Sequence, residues 1–152
     1  MPVFEEVFTV AAPIRTVWEF LLDADRVAPC MPGCEKVERI DADNFFVTVK
    51  ARVGIIAADV KMRVTMTEKR PPSHLSSVAE GKETNLGSAV KMKNTLDLRE
   101  VSPDETEVRY RSEVSVLGRL GTLGFSVMKG KVKQQGEAFA NNVKARLEPG
   151  AL

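Results

Sequence analysis

Four methionines stand where strand and helix periodicities place them on shared apolar faces: Met62, Met66, Met92 and Met128, beside Phe45, Val49, Tyr110 and Phe139. Methionine is unbranched and polarisable, so such a lining adapts to an irregular apolar body. Three polar residues interrupt it: Asn94 and Ser112 on otherwise apolar strand faces, and Gln135 on the helical stripe facing them. A buried polar group left without a partner costs roughly 1–3 kcal/mol, so these three must meet one another, buried water or a ligand. An apolar pocket with a few convergent polar groups is the usual form of a small-molecule site. A filled core is the other reading of the same residues.

Catalytic and metal chemistry find less to work with. Cys30 and Cys34 share the chain with one histidine, too few ligands for a zinc site. They read as reduced thiols packed near a turn. His74 follows Pro71-Pro72-Ser73 and reads as a surface residue, and no serine or cysteine sits in a nucleophile motif. Asp41, Asp43, Asp59, Asp97, Glu107 and Glu113 fall on outward strand faces and loops, with no inward pair for acid–base work. Gly118, Gly121 and Gly124 lack the Lys-Ser/Thr ending of a phosphate loop, and leucines fill the gaps between them. No catalytic residue and no metal ligand is assigned.

The elements that must position the apolar faces follow from periodicity. Val3 to Val10 alternates as a first strand, and Pro13 suits the first position of a helix. Ile14, Val17, Trp18, Leu21 and Leu22 form an amphipathic stripe, and Asp23 is placed to cap a second short helix running through Val27. Pro32-Gly33 makes a turn. From Glu35 the period is two: Phe45 to Val53, Ala58 to Met66, a weaker run from His74 to Gly81, Ser88 to Glu100, and Val108 to Val116. Gly54, Arg70-Pro71-Pro72-Ser73 and Pro103-Asp104 mark the turns between runs. From Phe125 to Leu147 the helical period returns, with Met128, Val132, Gln135, Phe139 and Val143 inward. The class is α+β: a curved antiparallel meander wrapped around a long C-terminal helix, with two short helices after the first strand.

Size and charge bound the function. At 152 residues the chain is expected to form one domain, large enough for a core or an internal cavity without disulfides. Basic and acidic residues nearly cancel, 22 against 21, and aromatics are not interleaved with basic runs, so no nucleic-acid role is expected. The chain has no apolar run of bilayer length and opens with the acidic pair Glu5-Glu6, which points to a cytoplasmic protein. Basic residues gather late, at Arg119, Lys129, Lys131, Lys133, Lys144 and Arg146, consistent with a solvated helix face or an acidic partner or anionic lipid.

Three segments together resemble the carbon monoxide dehydrogenase G-subunit family of the START-like, helix-grip superfamily, which also contains polyketide cyclases. They are Ala12-Pro13 with Val17-Trp18 and Leu22-Asp23, the Pro32-Gly33-Cys34 turn, and Val116 to Gly124. The resemblance implies a START-like ligand-binding domain with a hydrophobic ligand between sheet and long helix. It further implies a non-enzymatic accessory or recruitment role for a molybdenum-containing carbon monoxide dehydrogenase-like hydroxylase, with a quinone as ligand and no covalently bound cofactor. An enzyme of the cyclase or dehydratase type, using Tyr110 with Asn94, and a closed interaction domain are the alternatives. The chain ends at Leu152 without the proline-rich extension and apolar tail of longer members, so membrane contact is expected to be peripheral, at the inner face. Phe45, Val49, Met62, Met66, Met92, Asn94, Tyr110, Ser112, Met128, Gln135 and Phe139 are the expected ligand contacts. Leu120, Gly121, Leu123 and Gly124 are the expected gate, since glycine lets the segment swing and leucine covers an apolar opening; a tight turn is the other reading.

Overall fold

The computed structural model describes residues 3–53, 56–83, 87–118 and 125–148. One strand, β1 (Val3–Val10), precedes two short helices, α1 (Ile14–Leu22) and α2 (Ala24–Val27), and a 3₁₀ turn at Ala28–Cys30. Six strands follow: β2 (Cys34–Arg39), β3 (Asn44–Val53), β4 (Ile56–Arg70), β5 (His74–Glu83), β6 (Ala89–Ser102) and β7 (Glu105–Leu117). The long helix α3 (Phe125–Leu147) ends the fold. The strands form one antiparallel sheet in the order β1-β7-β6-β5-β4-β3-β2. The helical segment thus carries the chain from one sheet edge to the other, and the meander returns strand by strand to close beside β1.

Local signals account for the breaks. Pro13 is the N-cap of α1, with φ −61 and ψ 148, one residue before the helical position expected of it. Proline supplies no N–H, so at a helix start it loses nothing. The Asp23 carboxylate accepts the Asp25 N–H at 3.1 Å and starts α2 as a capping residue does. The Pro103-Asp104 and Pro71-to-Ser73 turns fall where expected, and β6 runs to Ser102, two residues beyond the expected end. Gly54 lies outside the described residues. Gly33 has φ +84, and a Cβ there would collide with the Lys50 carbonyl oxygen. Its own carbonyl accepts the Lys50 N–H at 2.9 Å, so this turn is fastened to β3.

The inward faces pack unevenly along the sheet. At one end Val17, Trp18, Phe20 and Leu21 of α1 meet Val10, Leu75, Leu98, Val108 and Val143 in a closed core. Val143 and Ala140 bury the second half of α3 there. Polar tethers fix the same half: Asn142 Nδ2 donates to the Cys30 carbonyl at 2.7 Å, and Glu148 accepts the Ala11 N–H at 3.2 Å. Thr106 donates to the Ala12 carbonyl at 2.8 Å, which ties the start of β7 to the end of β1. The first half of α3 lies over the other end of the sheet, where the packing is open.

Two substitutions test this division of labour. Phe20→Ala, in the closed end, should lower unfolding free energy by about 3–5 kcal/mol in denaturant titrations. Gly33→Ala, which meets both a positive φ and a backbone clash, should cost more than about 2 kcal/mol although the turn is on the surface.

Candidate functional site

Between the sheet and α3 lies an apolar cavity in two adjoining lobes, of 170 Å³ and 220 Å³. Met31, Val49, Met62, Met92, Tyr110 and Phe139 border both lobes. The first lobe reaches toward α1 and the Ala28–Met31 turn. The second runs beneath the first half of α3, where Lys131, Val132 and Gln135 form its roof. Register explains why these side chains converge. Met62 stands opposite Val47 and Gly81, and Met92 opposite Ala79 and Val114, so each long side chain faces small or branched neighbours and space remains between them.

One polar cluster is set into this apolar wall. Asn94 and Ser112 are direct cross-strand partners of β6 and β7. Ser112 donates to Asn94 Oδ1 at 2.7 Å, and the Tyr110 hydroxyl approaches the same oxygen at 3.5 Å. With its oxygen engaged on that side, the Asn94 amide turns its Nδ2 the other way, and among the described residues nothing meets it. Gln135 Nε2 donates to the Pro32 carbonyl at 3.1 Å, which leaves its Oε1 as an acceptor. Burial pushes the Tyr110 hydroxyl above its ordinary pKa of 10.0, with the bond to Ser112 working against that. The ring stacks obliquely on Phe139, 6.3 Å between centroids.

Nine of the expected contacts border the cavity: Phe45, Val49, Met62, Met66, Met92, Asn94, Tyr110, Gln135 and Phe139. Ser112 does not. It is fully buried and donates its hydroxyl to Asn94, which does border the first lobe. The Met128 side chain and the whole expected gate, Leu120, Gly121, Leu123 and Gly124, lie outside the described residues. Met31 escapes a reading by periodicity, because a turn has no period to reveal which way a side chain points. Glu83 escapes it too, although its signal is present: alternation from Leu75 through Ser77, Ala79 and Gly81 turns it inward. It is fully buried, and its Oε1 accepts the Asp59 N–H at 3.2 Å.

Other chemistry-bearing groups stand apart from the cavity. His74 Nδ1 lies 2.6 Å from Asp97 Oδ1, and Nε2 lies 2.8 Å from Ser76 Oγ. That order matches a nucleophile relay, but the group sits on the outer sheet face. β5 is paired on both sides, so its N–H groups serve the ladders and none is free to hold an oxyanion. Burial raises the pKa of Cys30 and of Cys34, which keeps both as thiols. Among the described residues no group of three His, Cys, Asp or Glu is placed to hold a metal ion. No described helix is long and apolar enough to cross a membrane.

Known proteins share this fold. The family model for the carbon monoxide dehydrogenase G-subunit (CoxG) matches residues 7–148. No curated protein matches the chain. Among solved structures, a conserved protein from Geobacillus kaustophilus superposes with TM-score 0.86 at 18% identity, over 95% of this chain and 94% of that one. The Zhui aromatase/cyclase from Streptomyces sp. R1128 superposes with TM-score 0.71 at 19% identity, over 95% and 92%. A START superfamily protein from Mycobacterium smegmatis gives TM-score 0.62 at 13% identity, over 93% and 97%. At these identities the likeness establishes the helix-grip fold and nothing finer.

The polar cluster makes two testable claims. Ser112→Ala should cost about 1–2 kcal/mol, while adding Asn94→Leu should cost less than the sum of the single changes, because both partners then become apolar. The chain has a single tyrosine, so ultraviolet titration reads Tyr110 alone. Its ionisation should fall above the ordinary value of 10.0 in the folded protein. Above that pH the unfolded chain loses this proton first, so stability is level below it and declines as pH rises toward the folded value.

Proposed function

The chain belongs to the carbon monoxide dehydrogenase G-subunit (CoxG) family, and we propose that it is a non-enzymatic carrier of a lipophilic small molecule, a quinone, held between the sheet and α3. The observation that carries this reading is a pair of adjoining methionine-lined lobes whose polar groups sit at separated points of an otherwise apolar wall. A quinone is a flat apolar body with carbonyl acceptors, and its reduced form carries hydroxyl donors. The open Nδ2 of Asn94 suits the carbonyl, and the open Oε1 of Gln135 suits a hydroxyl. Soft thioethers accommodate the ring and an alkyl tail without demanding one shape. In this reading the protein serves a molybdenum-containing carbon monoxide dehydrogenase-like hydroxylase in the cytoplasm. The lysines early in α3 would touch the inner membrane face, where quinones are stored.

A cyclase-type enzyme is the second reading, favoured by the Asn94–Tyr110–Ser112 cluster and by the fold shared with the aromatase/cyclase. Against it, neither lobe is lined by a histidine or carboxylate among the described residues, so the cavity lacks a group to take a proton near neutral pH.

Calorimetric titration with a short-chain benzoquinone and a naphthoquinone tests the carrier reading. Micromolar binding is expected, weakened at least tenfold by Met62→Trp or Met92→Trp, with midpoints in denaturant changed little because the added ring occupies empty space. Absence of binding, or a loss of about 1–3 kcal/mol from overpacking in place of lost affinity, would show a filled core. Turnover of a linear poly-β-ketone substrate, abolished by Tyr110→Phe, would replace the carrier by the enzyme.

A further inference from the structure

The helices cover one face of the sheet, and the other face carries an unusual arrangement of charge. In cross-strand rows on β4, β5 and β6 stand Lys61 opposite Lys82, Arg63 opposite Glu80 and Glu80 opposite Lys91, with Lys93 opposite Val78 in the next row. All five cations and Glu80 are exposed. None of the five makes an ion pair within 4 Å among the described residues. Lys61 lies 4.9 Å over the Phe46 ring, and Lys61 and Arg63 feel Glu38 and Asp41 only at longer range. The neighbouring outer face of β7 behaves differently. There Arg109 pairs with Glu107, and Arg111 with Glu5 and Glu113. Glu113 stands opposite Lys93 in the ladder, yet its carboxylate is engaged by Arg111.

Charges on one sheet face therefore satisfy each other at one side and are left open at the other. The open patch holds five cations around the Glu80 carboxylate in a chain whose formal net charge is only +1, so positive charge is concentrated here. Lys61 directly opposite Lys82 is a like-charge cross-strand pair, which destabilises a sheet. A fold that carries such a cost, with opposite charge available two strands away, presents a surface that a partner completes.

We propose that the outer face of β4–β6 is a docking surface for an acidic protein, whose carboxylates meet Lys61, Arg63, Lys82, Lys91 and Lys93 and whose single basic residue meets Glu80. The central glutamate selects the partner class. Against a phosphate backbone it is a like charge in the middle of the contact, and it disfavours that occupant. A bilayer would need an apolar anchor, and here Phe46 lies beneath Lys61 while Val78 is half-buried between strands. A protein surface supplies both signs at fixed positions. Asn44 and Thr65 line the same shallow groove with Val78 and add polar contacts at its edge. This inference stands whether or not the cavity on the opposite face holds a quinone.

The full chain is titrated with a fluorescent helical peptide that displays glutamates on one face around a single central arginine. Duplex DNA and phosphatidylglycerol vesicles are run beside it at equal ionic strength. Peptide affinity should fall at least tenfold in the double variant Lys82→Glu with Lys91→Glu, and fall comparably when salt rises beyond the screening range. Lys82→Glu alone turns the like pair into an opposite pair, so its melting midpoint should rise by about 1–3 °C while binding weakens, which excludes misfolding as the cause. Glu80→Lys should weaken the peptide and strengthen DNA. Peptide binding unchanged in the double variant overturns the proposal. So does vesicle or DNA binding that the same variant abolishes at equal or higher affinity than the peptide.

Discussion

Everything in this fold depends on how one half of α3 is held. Asn142 Nδ2 donates to the Cys30 carbonyl at 2.7 Å, and beside it Val143 is fully buried against α1 and the sheet. The turn that offers this carbonyl is itself fixed, because the next residues pass through Gly33 into a backbone bond with Lys50. Helix, turn and central sheet thus form a closed loop of contacts at one end of the molecule. Dense packing at that end provides the stability, and the other end need not close. Along the first half of α3 the side chains of helix and sheet do not fill the space between them. The space left over becomes the two lobes.

That division was only partly legible in the residues. Alternation placed Phe45, Met62, Met92 and Tyr110 on the inner face, and helical spacing brought Gln135 and Phe139 to meet them, because each element has a single period that ties position to direction. Ser112 shows the limit of periodicity. Its face was correctly read, yet it is fully buried and borders neither lobe, and depth has no periodic signature. Met31 shows another limit, since its direction is set by a turn whose geometry depends on contacts with β3 and α3. Glu83 could have been found by counting from Leu75. The amphipathic pattern was weaker there, and the strand was expected to end at Gly81. Which end of the sheet would be solid was not legible at all. It emerges from α1, α3 and the 3₁₀ turn converging, three elements far apart in the chain.

The polar cluster in the cavity wall follows from the same constraint. In a filled core Asn94 would need a protein partner for its Nδ2 as well as for its Oδ1, and leaving it unmet would be costly. Beside an open lobe the nitrogen has room for a water or a ligand atom. Ser112 orients the amide from behind, so the donor is directed without moving parts. Tyr110 sits between this amide and the Phe139 ring and joins the polar spot to the apolar roof. The asymmetry of Gln135, which lines the second lobe, is analogous: its nitrogen is spent on the Pro32 carbonyl, and its oxygen remains as an acceptor.

The two halves of α3 differ in composition as they do in packing. Lys129, Lys131 and Lys133 stand in its early turns, where positive charge opposes the helix dipole. Gly130 and Gly136 each reduce helix propensity by roughly 1 kcal/mol relative to alanine. Gly136 has a packing reason, since a Cβ there would approach Glu6 Cγ to 3.3 Å, tighter than ordinary contact. Gly130 has open space around its missing Cβ. In the second half Lys144 and Arg146 favour the dipole, and Ala140 and Val143 lock into the core. Helix stability is thus graded along its length, least where it roofs the cavity and greatest where it closes the core. A ligand that fills the second lobe would add most of its helix contacts to the weak half, at Lys131, Val132 and Gln135, so its binding energy supports the part of the helix that the fold itself leaves least supported.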